Sequence, residues 1–475
     1  MTSKPRRMHP AAIIFLMYTS IRSVIVPLII LAIGINNSNA QLQKIVIAIV
    51  AVLIIWAIAD IFVDYFMYTY QLLESEIIIR SGLFVKKVNH VPYKRIQNIT
   101  TNQWFFLKPF KLVELEIETA GHSETSEVSL KAVPSSLKDE INQLRNGVQV
   151  VEDVKPVAQN TYQISWSDLL SFSLTSPAFL SGLLVALAAY GKISDLIGDQ
   201  FYADMVTKTA GLGFPVVVFL AVLVLVIFYI GSALILIAKY FHFQLTENKG
   251  QFIIERGLFQ TKKTTIATER IQAIVIKQPL MRSFFKIATI QLVIVSNSNQ
   301  GDTEKDIIVM PVIKTDKIPQ FMAQFFKNVP FSIPEVQSQR FTYFYNFRNY
   351  SLWSLPILAI LIAILHNHIL IGAILTAVIL ILWNIPAYLE SKRSKVTVLN
   401  RDYIFLQNSS LLTRQTMFIP KMTIQFLKRR NSLWLEKKQI AGLTVNVRSG
   451  ITKRSFNIDY QKQADIDSVM KWYKE

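Results

Sequence analysis

The sequence has no cysteine and only six histidines in 475 residues. The first absence removes disulfides, thiolate metal sites and a cysteine nucleophile. The histidines are His9, His90, His122, His242, His366 and His368. His366 and His368 flank a tight turn, but no third ligand lies nearby, so no metal site is assigned. No Gly-rich phosphate loop, His-Glu-x-x-His or Gly-x-Ser-x-Gly pattern occurs. No catalytic residue and no cofactor follow from the sequence. Acidic residues are also few, 32 against 50 Lys and Arg, for a net charge of +18.

What the chain does contain is apolar runs, and they come in pairs: Ala11–Ile35 with Ile45–Phe66, Leu169–Tyr190 with Leu212–Ala238, and Leu352–Leu365 with Ile369–Leu389. About 20 helical residues cross a hydrocarbon core, so the pattern predicts six transmembrane helices in three hairpins. The basic start (Lys4, Arg6, Arg7) also fits a signal peptide. The other two hairpins have no cleavable start, which favours a membrane helix. The turns Gly34–Gln43 and His366–His368 carry no Lys or Arg, and most cations lie outside the hairpins. The positive-inside rule then places both termini and the polar blocks in the cytoplasm of a cell-membrane protein. Arg22 and Asp60 fall inside the first hairpin, with Asp64 one turn after Asp60. A buried Arg22–Asp60 pair would lock that hairpin or line an ion path; the lock is preferred, since hairpins two and three lack matching charges.

A polar block follows each hairpin, and the blocks are copies of one another. Gly82-Leu83-Phe84, Arg95-Ile96-Gln97 and Phe110-Lys111 recur 175 residues later as Gly257-Leu258-Phe259, Arg270-Ile271-Gln272 and Phe285-Lys286. A fainter copy lies at a shift of 328, where Ser410-Leu411-Leu412 replaces Gly-Leu-Phe, Ile419-Pro420 falls on Val91-Pro92 and Ile424-Gln425 falls on Ile96-Gln97. The period is far longer than that of a solenoid, so each copy is a domain. Prolines Pro27, Pro177 and Pro356 recur inside the first apolar run of each pair and predict a kink or break. Short alternating runs, such as Leu112–Thr119, predict antiparallel strands. Amphipathic stretches at Ser135–Arg145, Lys317–Lys327 and Ala464–Lys474 predict a closing helix for each block.

Gly-Leu-Phe, Val-Pro and Arg-Ile-Gln ahead of a hydrophobic strand, each set placed after a transmembrane hairpin, resemble the bacterial pleckstrin-homology family of membrane proteins (the bPH2 or DUF304 group). The third copy departs from the pattern at Ser410 and Thr423. The resemblance implies a membrane α plus β protein: three hairpins (1–66, 162–239, 340–389), each followed by a PH-like β-sandwich or barrel with a C-terminal helix (67–147, 240–329, 390–475). It implies no catalytic activity.

Charge is the functional signal. Lys86, Lys87, Lys94, Arg95, Lys108 and Lys111 lie in a window without acids. Lys262, Lys263, Arg270, Lys277, Arg282 and Lys286 follow in the second copy with only Glu269 among them, and Arg414, Lys421, Lys428, Arg429 and Arg430 follow in the third. Near an anionic inner leaflet each contributes ~1 kcal/mol. These residues are candidate contacts for lipid headgroups or for a partner, which would be a smaller membrane protein of the same family or another copy of the chain. A solvated basic surface without a ligand competes with that reading, and Arg95 and Arg270 also suit ion pairs within their own domains. No recognition helix points to nucleic acid. The expected function is a membrane scaffold, in a setting such as envelope stress or tolerance to membrane-active agents. The alternative is a transporter or lipid-handling protein gated by the PH-like domains.

Overall fold

The computed structural model describes residues 4–18, 20–21, 24, 40–83, 85–119, 128–146, 160–177, 182–183, 207, 214–248, 250–295, 306–335, 339–364, 369–449 and 452–475. Arg22, Pro27, His366 and His368 lie outside them, so the Arg22–Asp60 pair and the two-histidine turn have no structural description.

The first stretch contains β1 (Arg6–Arg7), α1 (Ala40–Met67), β2 (Thr69–Leu72), β3 (Glu76–Ser81), β4 (Lys87–Pro92), β5 (Ile96–Trp104), β6 (Leu112–Thr119), β7 (Val128–Pro134) and α2 (Leu137–Asn146). The second contains β8 (Asn160–Gln163), α3 (Trp166–Leu174), α4 (Phe214–Tyr240), β9 (Gln244–Asn248), β10 (Gln251–Arg256), β11 (Gln260–Ala267), β12 (Ile271–Gln278), α5 (Leu280–Phe284), β13 (Ile287–Ile294), β14 (Ile307–Lys314) and α6 (Ile318–Phe325). The third contains α7 (Arg340–Ile364), α8 (Ile369–Arg393), β15 (Lys395–Val398), β16 (Tyr403–Ser410), β17 (Thr413–Pro420), β18 (Ile424–Arg430), α9 (Leu433–Glu436), β19 (Ile440–Ser449), β20 (Thr452–Lys462) and α10 (Gln463–Lys474).

Backbone detail recurs at the same two shifts. Between the two sheets of each copy the chain turns a 3-10 corner, at Tyr93–Arg95, Thr268–Arg270 and Lys421–Thr423. Pro92 and Pro420 end the preceding strands at φ −62° and −66°, values their rings impose. A bulge follows each corner, between Ile96 and Asn98, Ile271 and Ala273, and Ile424 and Phe426. Lys111, Lys286 and Gln439, one per copy, are all left-handed, with φ of 52°, 51° and 55°. Non-glycine residues pay ~1 kcal/mol or more for that conformation, so its recurrence reflects a shared tertiary demand.

The chain forms two compact units: Met1–Val157 with Ser176–Gln244 and Ile253–Thr265, and Ala158–Thr175 with Leu245–Phe252 and Ile266–Glu475. In the first, β1-β2-β3-β4 form one sheet and β7-β6-β5 the start of another. Ile77, Leu115, Ile117, Leu130, Leu137 and Ile141 are fully buried between them, and Met8, Ala12 and Phe15 of the lead-in segment join this core. In the second, β14-β13-β12-β17-β16-β15 form one sheet and β18-β19-β20 another. One core runs from Ala273 and Val275 to Leu406, Met417, Leu443, Val445 and Ile466.

Among the described residues, three helical spans are long and apolar enough to cross a membrane: Gln43–Met67, Val222–Tyr240 and Gly372–Arg393. These are the second helices of the expected hairpins, so six spans are not supported. The first helices of hairpins one and two fall largely outside the described residues. In α7 the first turns are occupied by the third domain. Tyr345 stacks on Tyr460 at 5.1 Å, Thr342 donates to the Tyr460 carbonyl and Asn349 donates to its hydroxyl. Tyr345 is thus packed on protein, while Phe344 and Phe347 of the same turns are exposed. Pro356 sits inside the continuous helix α7, and Pro177 lies just beyond the end of α3.

Candidate functional site

In the second copy, Gly257-Leu258-Phe259 is a turn docked on a membrane helix. Gly257 N donates to the Phe241 carbonyl at 2.8 Å and Leu258 N to the Ala238 carbonyl at 2.9 Å. These carbonyls lie at the end of α4, where intrahelical donors run out. Arg256 stacks on the buried Tyr240 ring at 4.4 Å and brings positive charge to the same end, which the helix dipole favours. Gly257 has φ +116°, and a Cβ there would lie 2.0 Å from the Gln260 carbonyl oxygen. Gly82 repeats this with φ +88° and 2.2 Å to the Val85 oxygen. In the third copy Leu411 takes the left-handed position at φ 53°, one residue after Ser410.

The same turn touches the first domain. Phe105 N donates to the Phe259 carbonyl at 2.8 Å. Phe105, Phe110, Leu258 and Phe259 are all exposed. This apolar tip is therefore tied by two hydrogen bonds to the end of a helix that can span the bilayer. The corresponding break in each other copy is also exposed: Met281, Phe284 (75%) and Phe285, then Leu433 and Trp434 (81%). Lysines border every tip: Lys108 and Lys111, Lys286, Lys437 and Lys438 are exposed. Exposed aromatics beside lysines suit a headgroup layer. The signal available in the sequence for the first tip was the aromatic run Trp104-Phe105-Phe106 in an otherwise polar block.

The charged residues read from sequence divide sharply. Lys86, Lys87, Lys94, Arg95, Lys108 and Lys111 are all exposed. Lys286 and Lys428 are exposed too. Most others are engaged by protein. Lys277 pairs with buried Asp306 at 3.0 Å, and Arg454 approaches the same carboxylate at 3.5 Å. Arg430 pairs with Asp459 at 2.7 Å, and Arg429 with Asp467 at 2.8 Å. Lys421 lies over the Trp472 ring, and Arg414 donates to Gln407. Arg270 is half-buried.

Arg282 corrects the expectation outright. It is only 5% exposed and cannot reach a headgroup. Its guanidinium donates to Thr175 Oγ1 and the Phe172 carbonyl, both at 3.2 Å, and to Thr289, with the Phe172 ring 4.6 Å away. It caps the C-terminal end of α3, where a cation is favourable. Leucines Leu107 and Leu435 occupy the equivalent positions.

Lys262 and Lys263 line a joint between copies. In the first unit, Gln260, Thr261, Lys262 and Lys263 of β11 pair with Trp104, Gln103, Asn102 and Thr101 of β5. Burial holds Lys138 of α2 down at about 8, with Lys263 adding repulsion. In the second unit, Arg414 through Phe418 of β17 pair with Gln278 through Ile274 of β12. Thr423, standing where the other copies have arginine, donates to the Gln272 carbonyl at 2.8 Å in that joint. The third copy has exchanged a cation for a hydroxyl that serves its neighbour. Each corner is pinned alike: Tyr93 N to Ser75 O at 3.0 Å, Thr268 N to Gly250 O at 3.0 Å, Lys421 N to Asp402 O at 2.7 Å.

The profile of the Bacterial PH domain family matches residues 20–146 and 197–324, more than half of the chain. The chain is 25% identical to the transmembrane protein YdbT of Bacillus subtilis (strain 168), across 100% of this chain and 99% of that relative. With these matches, the sheet–corner–sheet units and the apolar helices in front of them, the chain belongs to the bacterial PH domain family and is a membrane protein of the YdbT kind.

Proposed function

We propose that the chain is a multi-pass membrane scaffold that holds its PH-like domains on the anionic inner leaflet, with domains and termini in the cytoplasm. One observation carries this reading: the exposed tip at Phe105, Leu258 and Phe259 is hydrogen-bonded to the end of membrane helix α4. A tip so tied has little freedom to leave the interface. Burying apolar surface yields ~25 cal/mol per Å², and each nearby cation adds ~1 kcal/mol on an anionic leaflet. The six exposed cations of the first domain then supply headgroup attraction. Domains two and three contribute less charge, because their cations are largely internal, and rely on the tips at Phe284 and Trp434. No catalytic step is part of this reading.

Absence of native cysteine makes the test direct. Phe105→Cys, Phe284→Cys and Trp434→Cys are each labelled with an environment-sensitive dye in nanodiscs. Emission should shift to the blue in discs containing phosphatidylglycerol relative to pure phosphatidylcholine, and the shift should shrink in high salt. Lys471→Cys, on the exposed face of α10, is the control. Identical emission in both lipids at all three tips would refute leaflet contact.

A further inference from the structure

The two joints described above obey one register. Thr261 and Arg414 are equivalent residues, both at the position of Lys86, and Gln278 is equivalent to Gln103. Thr261 faces Gln103 in the first joint, and Arg414 faces Gln278 in the second. The rest of the pairing follows in step. In both cases the last strand of one copy's first sheet lies against the first strand of the preceding copy's second sheet. The repeated corner places those two strands on either side of itself, so every copy carries one half-joint of each kind.

Three copies and two joints leave two half-joints over. They are β4 of the first copy and β18 of the third. Among the described residues, no strand pairs with the outer edge of either. Lys87 through His90 of β4 are all exposed, and Val85 and Val88 stand open beside them. An exposed, unpaired edge is a template for another strand. Other sheet edges are met by lead-in segments: His9 N donates to Ala132 O of β7, and Thr342 to Tyr460 O of β20.

We infer that β18 of one copy of this chain pairs with β4 of a second copy, in the register of the two internal joints. That register sets Lys86 against Asn431, Lys87 against Arg430, Val88 against Arg429, Asn89 against Lys428 and His90 against Leu427. Lys86 then faces an amide, as Arg414 faces Gln278. Lys87 opposite Arg430 is the one direct clash of like charge, and such pairs destabilise. The chain holds the remedy. Arg430 is paired with Asp459, which is part-exposed. The equivalent pair in the second copy is Lys277–Asp306, and Asp306 accepts a second cation, Arg454. Asp459 can likewise serve Arg430 and the incoming Lys87. The contact is head-to-tail, so it generates a ring or an open row rather than a twofold dimer.

This inference goes beyond the scaffold reading and does not rest on its lipid contact. Val88→Cys and Arg429→Cys are placed in separately tagged full-length chains, co-expressed, and the membranes are treated with copper phenanthroline. The expected product is a disulfide-linked dimer carrying both tags, at least tenfold above the yield with Val88→Cys and Lys428→Cys, since neighbouring strand residues face opposite ways. Asp459→Asn should cut the yield severalfold. Equal yield from the two cysteine pairs, or no mixed dimer, overturns the inference. A crosslink formed only within single chains of the double variant Val88→Cys/Arg429→Cys overturns it as well. The same assay in neutral detergent separates the two readings: a joint that persists there stands whatever the tips do with lipid.

Discussion

Gly257→Ala tests the idea that the repeated turn couples the membrane helix to the sheet. The new Cβ would sit 2.0 Å from the backbone oxygen of Gln260, where contacts below 3.0 Å essentially never occur. Backbone cannot swing aside like a side chain, so the turn must move by about 1 Å or more. That displacement breaks Gly257 N to Phe241 O and Leu258 N to Ala238 O, each worth ~1 kcal/mol net. The φ of +116° adds ~1–2 kcal/mol of strain. The local cost is about 3–4 kcal/mol. Gly250→Ala is the matched control: its φ is +77°, but its Cβ would meet only Thr268 Oγ1 at 3.6 Å, an ordinary contact. It should cost about 1 kcal/mol, from strain alone. Hydrogen exchange with peptide-level mass spectrometry on the detergent-solubilised chain reads both. In Gly257→Ala, protection over residues 257–263 and over 101–105 should fall ~100-fold or more, since 1.4 kcal/mol is tenfold. In Gly250→Ala the loss should stay near tenfold. Equal losses in the two variants, or unchanged protection at 101–105 in Gly257→Ala, would refute the coupling.

Three further outcomes are expected. Arg282→Ala should destabilise the second unit by about 2–4 kcal/mol, since it removes the buried donor to the Phe172 carbonyl, Thr175 and Thr289 and leaves the two hydroxyls with the bonds they donate to Ser171 and Pro311; urea-dependent proteolysis measures it, while the tip-dye signal at position 105 should not change. Thr423→Val removes the bond to the Gln272 carbonyl and should cost about 1 kcal/mol, seen as faster exchange at residues 271–274. Lys138→Met should raise the melting temperature at pH 7. With the folded pKa held near 8, below the unfolded value of 10.5, the burial penalty applies in full below pH 8. It is relieved as pH rises from 8 to 10.5, where the unfolded chain binds the extra proton. The advantage of Lys138→Met should therefore shrink across that window in melts at successive pH values; an advantage that grows with pH would contradict the assignment.

Local order was readable in the sequence, and distant pairing was not. The copies, the proline before two of the corners and the closing helices all leave marks within a dozen residues. Leu112–Thr119 showed its strand by alternation, but not that Glu116 and Glu118 would be buried, with Asn102 donating to Glu116 at 3.0 Å. The sorting of cations into exposed and engaged depended on partners far along the chain. Lys277 and Asp306 lie 29 residues apart, and Arg282 and Phe172 lie 110 apart. No local window contains both members. The joints were hidden for the same reason, since a run of β-forming residues does not state which strand it will lie beside.

The path from Ala238 through Leu258 and Phe259 to Phe105 is a short mechanical linkage. Its rungs are backbone hydrogen bonds, which transmit displacement with little slack. A membrane helix answers a change in bilayer thickness by tilting. Tilt of α4 would carry the turn with it, and the turn would draw on the end of β5. A lipid-level event that binds nothing to the domains would still be felt in the sheets, as strain at the joint rather than as occupancy of a pocket.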